Sequence, residues 1–193
     1  NYLAQNYFIT WQMLGTRDFD HYTKLGAHNY NGTAAIMMVF LARTGHEILT
    51  VRKVTLTEQG ELVDAADLKG RPHALAITFR GTSTAVPNPN PEQSLVFFSG
   101  DLSDRSLSKL RGFVPMVESL GKVTTFLKAA SYLMFNPNFD DMRSVILARS
   151  ETVVTEASGV PFHFFERDPE TWKLDLYGQY REPIGDFRGR CQP

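Results

Sequence analysis

The densest run of side chains able to do chemistry is Phe97-Phe98-Ser99-Gly100-Asp101-Leu102-Ser103-Asp104. It reads as an apolar strand, a polar turn and the start of a helix. The first backbone N–H groups of a helix lack partners within it, so Asp101, Ser103 and Asp104 would stand beside unpaired donors. Such a spot can hold an anion, a metal or a reacting group. The same residue types also cap helices, because a Ser or Asp oxygen accepts from an N–H two or three positions on. A cap accounts for Ser103 or Asp104 and leaves Asp101 unexplained. A second set is Lys128, Ser131 and Tyr132, which share one stripe if the segment is helical. A desolvated lysine beside a hydroxyl can assist nucleophilic attack. The order is the reverse of Ser-x-x-Lys, and a lysine snorkelling along an amphipathic helix explains the pattern equally. The third set is Tyr177, Tyr180, Arg181, Arg188 and Arg190, interleaved with Gly178, Gly185 and Gly189. Arg and Tyr suit carboxylate, phosphate or sugar contacts. They also suit a terminal segment packed over its own domain.

None of these sets belongs to a motif with a fixed mechanism. The chain contains no HExxH, GxSxG, P-loop, GxGxxG or CxxC. His21, His28, His46, His73 and His163 are scattered. His21 and His28 share a polar stretch with Asp18 and Asp20, which reads more simply as a solvated loop than as a metal site. Cys191 is the one cysteine, so no internal disulfide or multi-cysteine site can form. No cofactor and no metal are expected. With 20 basic and 21 acidic residues the formal net charge is −1. Such a chain has no domain-wide positive field, and nucleic acid is not an expected partner. The longest apolar run, Ala34 to Ala42, is far short of the ~20 residues a membrane-spanning helix needs.

The candidate residues need a scaffold, and 193 residues suffice for a single globular domain, residues 1–193, with its own core. The chain opens on Asn1 rather than Met, which suggests a processed terminus or a piece of a longer chain. Leu3, Tyr7, Trp11 and Leu14 recur at helical steps and predict a helix over 2–14. A second helix, over 33–43, has Thr33 as a possible N-cap and Gly45 as its stop. It is apolar nearly all round, which predicts a central position. Ile48, Val54 and Leu56 fall on one side of an extended segment, and Glu58-Gln59-Gly60-Glu61 reads as a turn. Leu75, Ile77 and Phe79 alternate with small residues as in a half-buried strand, and 94–99 is a short apolar strand. Three prolines make 81–93 a stiff surface loop. The spacing over 106–120 is helical, with Pro115 predicting a kink or two shorter pieces. Phe126, Ala130, Leu133 and Met134 predict an amphipathic helix, and a further helix starts near Asn138 with Met142, Val145 and Ile146 as its buried face. Residues 151–155 and 160–165 predict a hairpin, followed by a β-like 172–177. The sum is an α+β fold, an antiparallel sheet with helices packed against it. Ile36, Val39, Phe40, Leu75, Ile77, Phe79, Phe97, Phe126, Leu133 and Ile146 are the predicted core.

Several stretches resemble a family of uncharacterised bacterial proteins that are usually predicted to be exported. They are Phe40-Leu41-Ala42-Arg43-Thr44-Gly45-His46-Glu47, the 97–104 segment, Thr125-Phe126-Leu127-Lys128-Ala129-Ala130-Ser131-Tyr132-Leu133, Ser158-Gly159-Val160-Pro161 and Leu176-Tyr177-Gly178. The resemblance implies a periplasmic or secreted location. It brings no activity and no catalytic residue. Two functions therefore compete. One is a non-catalytic extracytoplasmic domain that binds a small molecule or a protein partner. The other is a hydrolase-like enzyme built on the Asp101–Ser103–Asp104 turn or the Lys128–Ser131 pair.

Overall fold

The computed structural model describes residues 7–12, 33–65, 74–81, 92–99, 102–127, 136–155 and 160–178. The chain divides into two compact units, Asn1–Asp101 and Leu102–Pro193. The fold is α+β.

The first unit is built on strands β1 (Tyr7–Gln12), β2 (His46–Leu56), β3 (Leu62–Asp64), β4 (Ala74–Gly81) and β5 (Glu92–Ser99), with helix α1 (Thr33–Arg43). They form one sheet in the order β1-β5-β4-β2-β3. The four strands β2 to β5 pair antiparallel. β1 adds in parallel to β5, with Tyr7 opposite Ser94 and Gln12 opposite Ser99. Over the described residues 7–12, a strand stands where a helix was expected over 2–14. Leu3, Tyr7 and Trp11 are spaced by fours, and four is also a multiple of the strand period, so the spacing did not discriminate. The Tyr7–Trp11 run is aromatic and β-branched, which suits a strand.

The β2–β3 turn falls on the expected residues. Thr57 N–H donates to the Glu61 carbonyl at 2.9 Å, and the Thr57 hydroxyl accepts from Glu61 N–H at 3.1 Å. Gly60 takes φ 88°, a region that a side chain disfavours.

Leu75, Ile77 and Phe79 of β4 and Leu95 and Phe97 of β5 form a buried cluster with Ala34 and Leu41 of α1. Met37, Met38, Ile48 and Val51 pack against it. Ala34, Met37, Met38 and Leu41 follow the i, i+3, i+4, i+7 rule for one helix face. Ile48 and Val51 are three apart yet meet the same cluster, because the β2–β4 register shifts between Ile48 and Thr50. One extra residue in β2 inverts the alternation beyond it. Val54 therefore pairs with Ala74, whose partner is Phe98, and lies on the opposite face from Ile48. The single-sided reading of Ile48, Val54 and Leu56 is corrected accordingly. Val54, Ala74, Ala76, Val96 and Phe98 are buried too. The centre of the sheet is thus covered on both faces, which explains why Leu95–Phe98 is continuously apolar rather than alternating.

The second unit contains α2 (Asp104–Leu107), α3 (Phe113–Ser119), β6 (Val123–Leu127), α4 (Asp140–Arg149), β7 (Ser150–Thr155) and α5 (His163–Glu166). The helical stretch expected over 106–120 is two pieces, and Pro115 sits in the first turn of α3. An amide is unpaired there in any helix, so proline is tolerated. Leu107, Phe113, Met116 and Val117 are buried. A 3₁₀ turn, Pro137–Phe139, leads into α4, and the Asn136 side chain accepts from Asn138 N–H at 3.0 Å.

β6 and β7 pair in parallel, with Phe126 opposite Val154. This corrects two expectations. Phe126 is in a strand, not an amphipathic helix, and is 72% exposed. The run Val123-Thr124-Thr125-Phe126 is β-branched and aromatic, and such side chains lose χ1 freedom in a helix. β7 does not form a hairpin with 160–165. Val160 and Pro161 are buried, and His163–Glu166 is a helical turn. The segment 172–177 has no regular secondary structure. Of the expected core, Leu75, Ile77, Phe79, Phe97 and Ile146 are buried. Leu133 lies outside the described residues. Ile36, Val39 and Phe40 are exposed, because only one face of α1 meets the sheet.

Candidate functional site

The strand-to-helix turn ends on α2. Ser103 occupies its N-cap position with extended backbone, and its carbonyl accepts from the N–H groups of Ser106 and Leu107, both at 2.8 Å. Its side chain makes no capping bond. Asp104 caps a different helix. Its Oδ1 accepts from the N–H of Asp141, 37 residues on, at 3.1 Å. Asp141 is in the first turn of α4, whose N–H groups lack partners within the helix and whose dipole favours a carboxylate. The Asp104 carboxylate thus ties the start of α2 to the start of α4. Asp101 lies outside the described residues.

The same end of α4 carries an ion pair. Arg143 Nη2 donates to Asp140 Oδ1 one turn back, and the Arg143 side chain is only 8% exposed. Its guanidinium lies over the Phe164 ring, 4.5 Å from the centroid, and Arg167 approaches that ring at 5.4 Å. His163 stacks on Phe164 at 4.4 Å with the rings tilted by 32°. A guanidinium is planar and weakly hydrated, so it can be buried against an aromatic face when a carboxylate neutralises it. Composition alone hid this: Arg143 reads as a surface residue until Phe164, 21 positions away, is placed over it.

A second cluster joins α1 to β2, within the stretch Phe40–Glu47. Thr44 N–H donates to the Phe40 carbonyl at 3.0 Å, and Gly45 has φ 78°. This is how helices commonly stop, with glycine in the left-handed region. The Thr44 hydroxyl lies 2.9 Å from the Phe40 carbonyl, 3.1 Å from that of Leu41 and 2.9 Å from His46 Nδ1. A hydroxyl has one proton, and a carbonyl can only accept. When that proton goes to a carbonyl, a hydrogen bond between Thr44 Oγ1 and His46 Nδ1 is donated by the imidazole N–H. The imidazole meets Phe79 edge-on at 5.2 Å. Next to it, Glu47 Oε2 accepts from Arg80 Nη2 at 2.7 Å and from Nε at 3.3 Å. That hydrogen bond, and then the charge of Glu47, raise the Arg80 pKa above its ordinary value. Thr44, His46 and Glu47 thus each have a partner at or beside the joint between helix and strand.

The remaining candidates do not come together among the described residues. Lys128, Ser131, Tyr132, Tyr180, Arg181, Arg188, Arg190, His21 and His28 lie outside them. Tyr177 is described and stands 85% exposed, with Leu174 and Leu176 also exposed. Among the described residues no three His, Cys, Asp or Glu side chains gather as metal ligands, and no helix is long and apolar enough to cross a membrane.

Sequence reading missed the outer face of α1. Ile36, Val39 and Phe40 are 67%, 62% and 67% exposed. They repeat the i, i+3, i+4 spacing of the buried stripe on the other side of the helix. The signal was in the sequence, as a helix apolar nearly all round beside a sheet that can cover only one of its faces.

Comparison with known proteins decides nothing further. No protein-family model, curated protein or solved structure matches this chain.

Proposed function

We propose that this chain is a non-catalytic binding domain that engages a partner through the outer face of α1. One observation carries the reading: Ile36, Val39 and Phe40 present a contiguous apolar stripe to solvent. Contiguous apolar surface on a folded protein commonly marks an interaction site. Each such side chain gains about 1.5–3 kcal/mol on full burial, enough to anchor an interface once the ordering cost of association is met. The partner in this reading is a protein or an apolar small molecule. Nucleic acid is not favoured, because the net charge is −1. An extracytoplasmic bacterial location, periplasmic or secreted, belongs to the same proposal and rests on the family resemblance of the Phe40–Glu47 and 97–104 stretches.

The competing hydrolase reading is weakened at one residue. Asp104 would have to serve a substrate or a water while one of its oxygens already accepts a backbone N–H of α4.

The test compares wild type with an Ile36→Glu/Phe40→Glu double variant, each immobilised and exposed to envelope and secreted fractions of the source cells. The expected result is a discrete partner retained by wild type and lost by the double variant, whose far-UV circular dichroism and melting are unchanged. Retention of the same species by both proteins would overturn the reading. Detection of the native protein by antibody in the cytosolic fraction alone would overturn the location.

A further inference from the structure

We draw no further inference here: the strongest candidate, the exposed cross-strand pair of Phe126 and Val154 on the two-stranded β6–β7 sheet, carries nothing because nothing in the structure shows what covers it.

Discussion

At the scale of single residues, a side chain that looks chemical in the sequence can instead be occupied with holding backbone in place. Asp104 illustrates this. A catalytic or ligand-binding carboxylate can be changed without loss of stability, whereas a capping one cannot. Asp104→Ala should destabilise the protein by about 0.5–2 kcal/mol, the usual range for a lost cap. Asp104→Asn keeps an acceptor oxygen for the Asp141 N–H and should recover most of that loss. Urea unfolding of the three proteins checks the order, and equal stability of all three would remove the capping role. The Thr44–Gly45 joint makes a parallel case. Gly45 has φ 78°, where an added Cβ is strained, so Gly45→Ala should destabilise by about 1 kcal/mol or more. Thr44→Val deletes the hydroxyl shared by the helix carbonyls and His46, and should lower stability by about 1 kcal/mol. Thermal melts of both variants measure these effects, and a Gly45→Ala protein at least as stable as wild type would contradict the left-handed assignment.

At the scale of elements, two phenylalanines divide what the sequence made legible from what it hid. Phe79 is 2% exposed at the centre of the sheet, and Phe126 is 72% exposed on β6. Both were expected in the core. Phe79→Ala should destabilise by about 3–5 kcal/mol, as cavity-forming changes of Phe do. Phe126→Ala should change stability by no more than about 0.5 kcal/mol, as for a surface site. Chemical denaturation of both variants gives the comparison, and a large loss at Phe126 would restore the buried helix in its place. Phe79 was legible because Leu75, Ile77 and Phe79 are large and alternate with the smaller Ala74, Ala76 and Thr78 at the strand period. The Thr57–Glu61 turn and the limits of α1 were legible for a similar reason, since Gly60 and Gly45 mark backbone that other residues avoid. Phe126 was not. Its spacing to Ala130, Leu133 and Met134 is helical, while the run that precedes it is β-branched. The partner that makes this run a strand, β7, lies more than 20 residues downstream. The parallel pairings β1–β5 and β6–β7 share this property: local pattern encodes the strand, but not its partner or direction. The extra residue in β2 was hidden as well, because a bulge changes which face a residue occupies without changing its type.

At the scale of the whole molecule, the balance between charge and exposed apolar surface has a consequence in solution. The net charge is −1, so molecules repel each other weakly, and proteins near neutrality associate more readily. The Ile36–Val39–Phe40 stripe gives such association a place to begin. Replacing Ile36 and Phe40 by Lys should leave stability within about 0.5 kcal/mol, since both side chains are largely in water. It should also move the net charge from −1 to +1. The magnitude is the same, so any change in association reports the loss of the apolar stripe and not greater repulsion. The double variant should bind less of a hydrophobic dye and elute later or more sharply in size-exclusion chromatography at high concentration. Leu41→Lys is the control. Leu41 lies on the opposite stripe of the same helix, 6% exposed against the sheet, and a lysine there would bury an unpaired charge or expel α1. It should unfold the first unit or destabilise it severely. If instead the Ile36/Phe40 variant unfolds while Leu41→Lys remains folded, α1 packs through its Ile36–Val39–Phe40 face, and the proposed binding surface is part of the core.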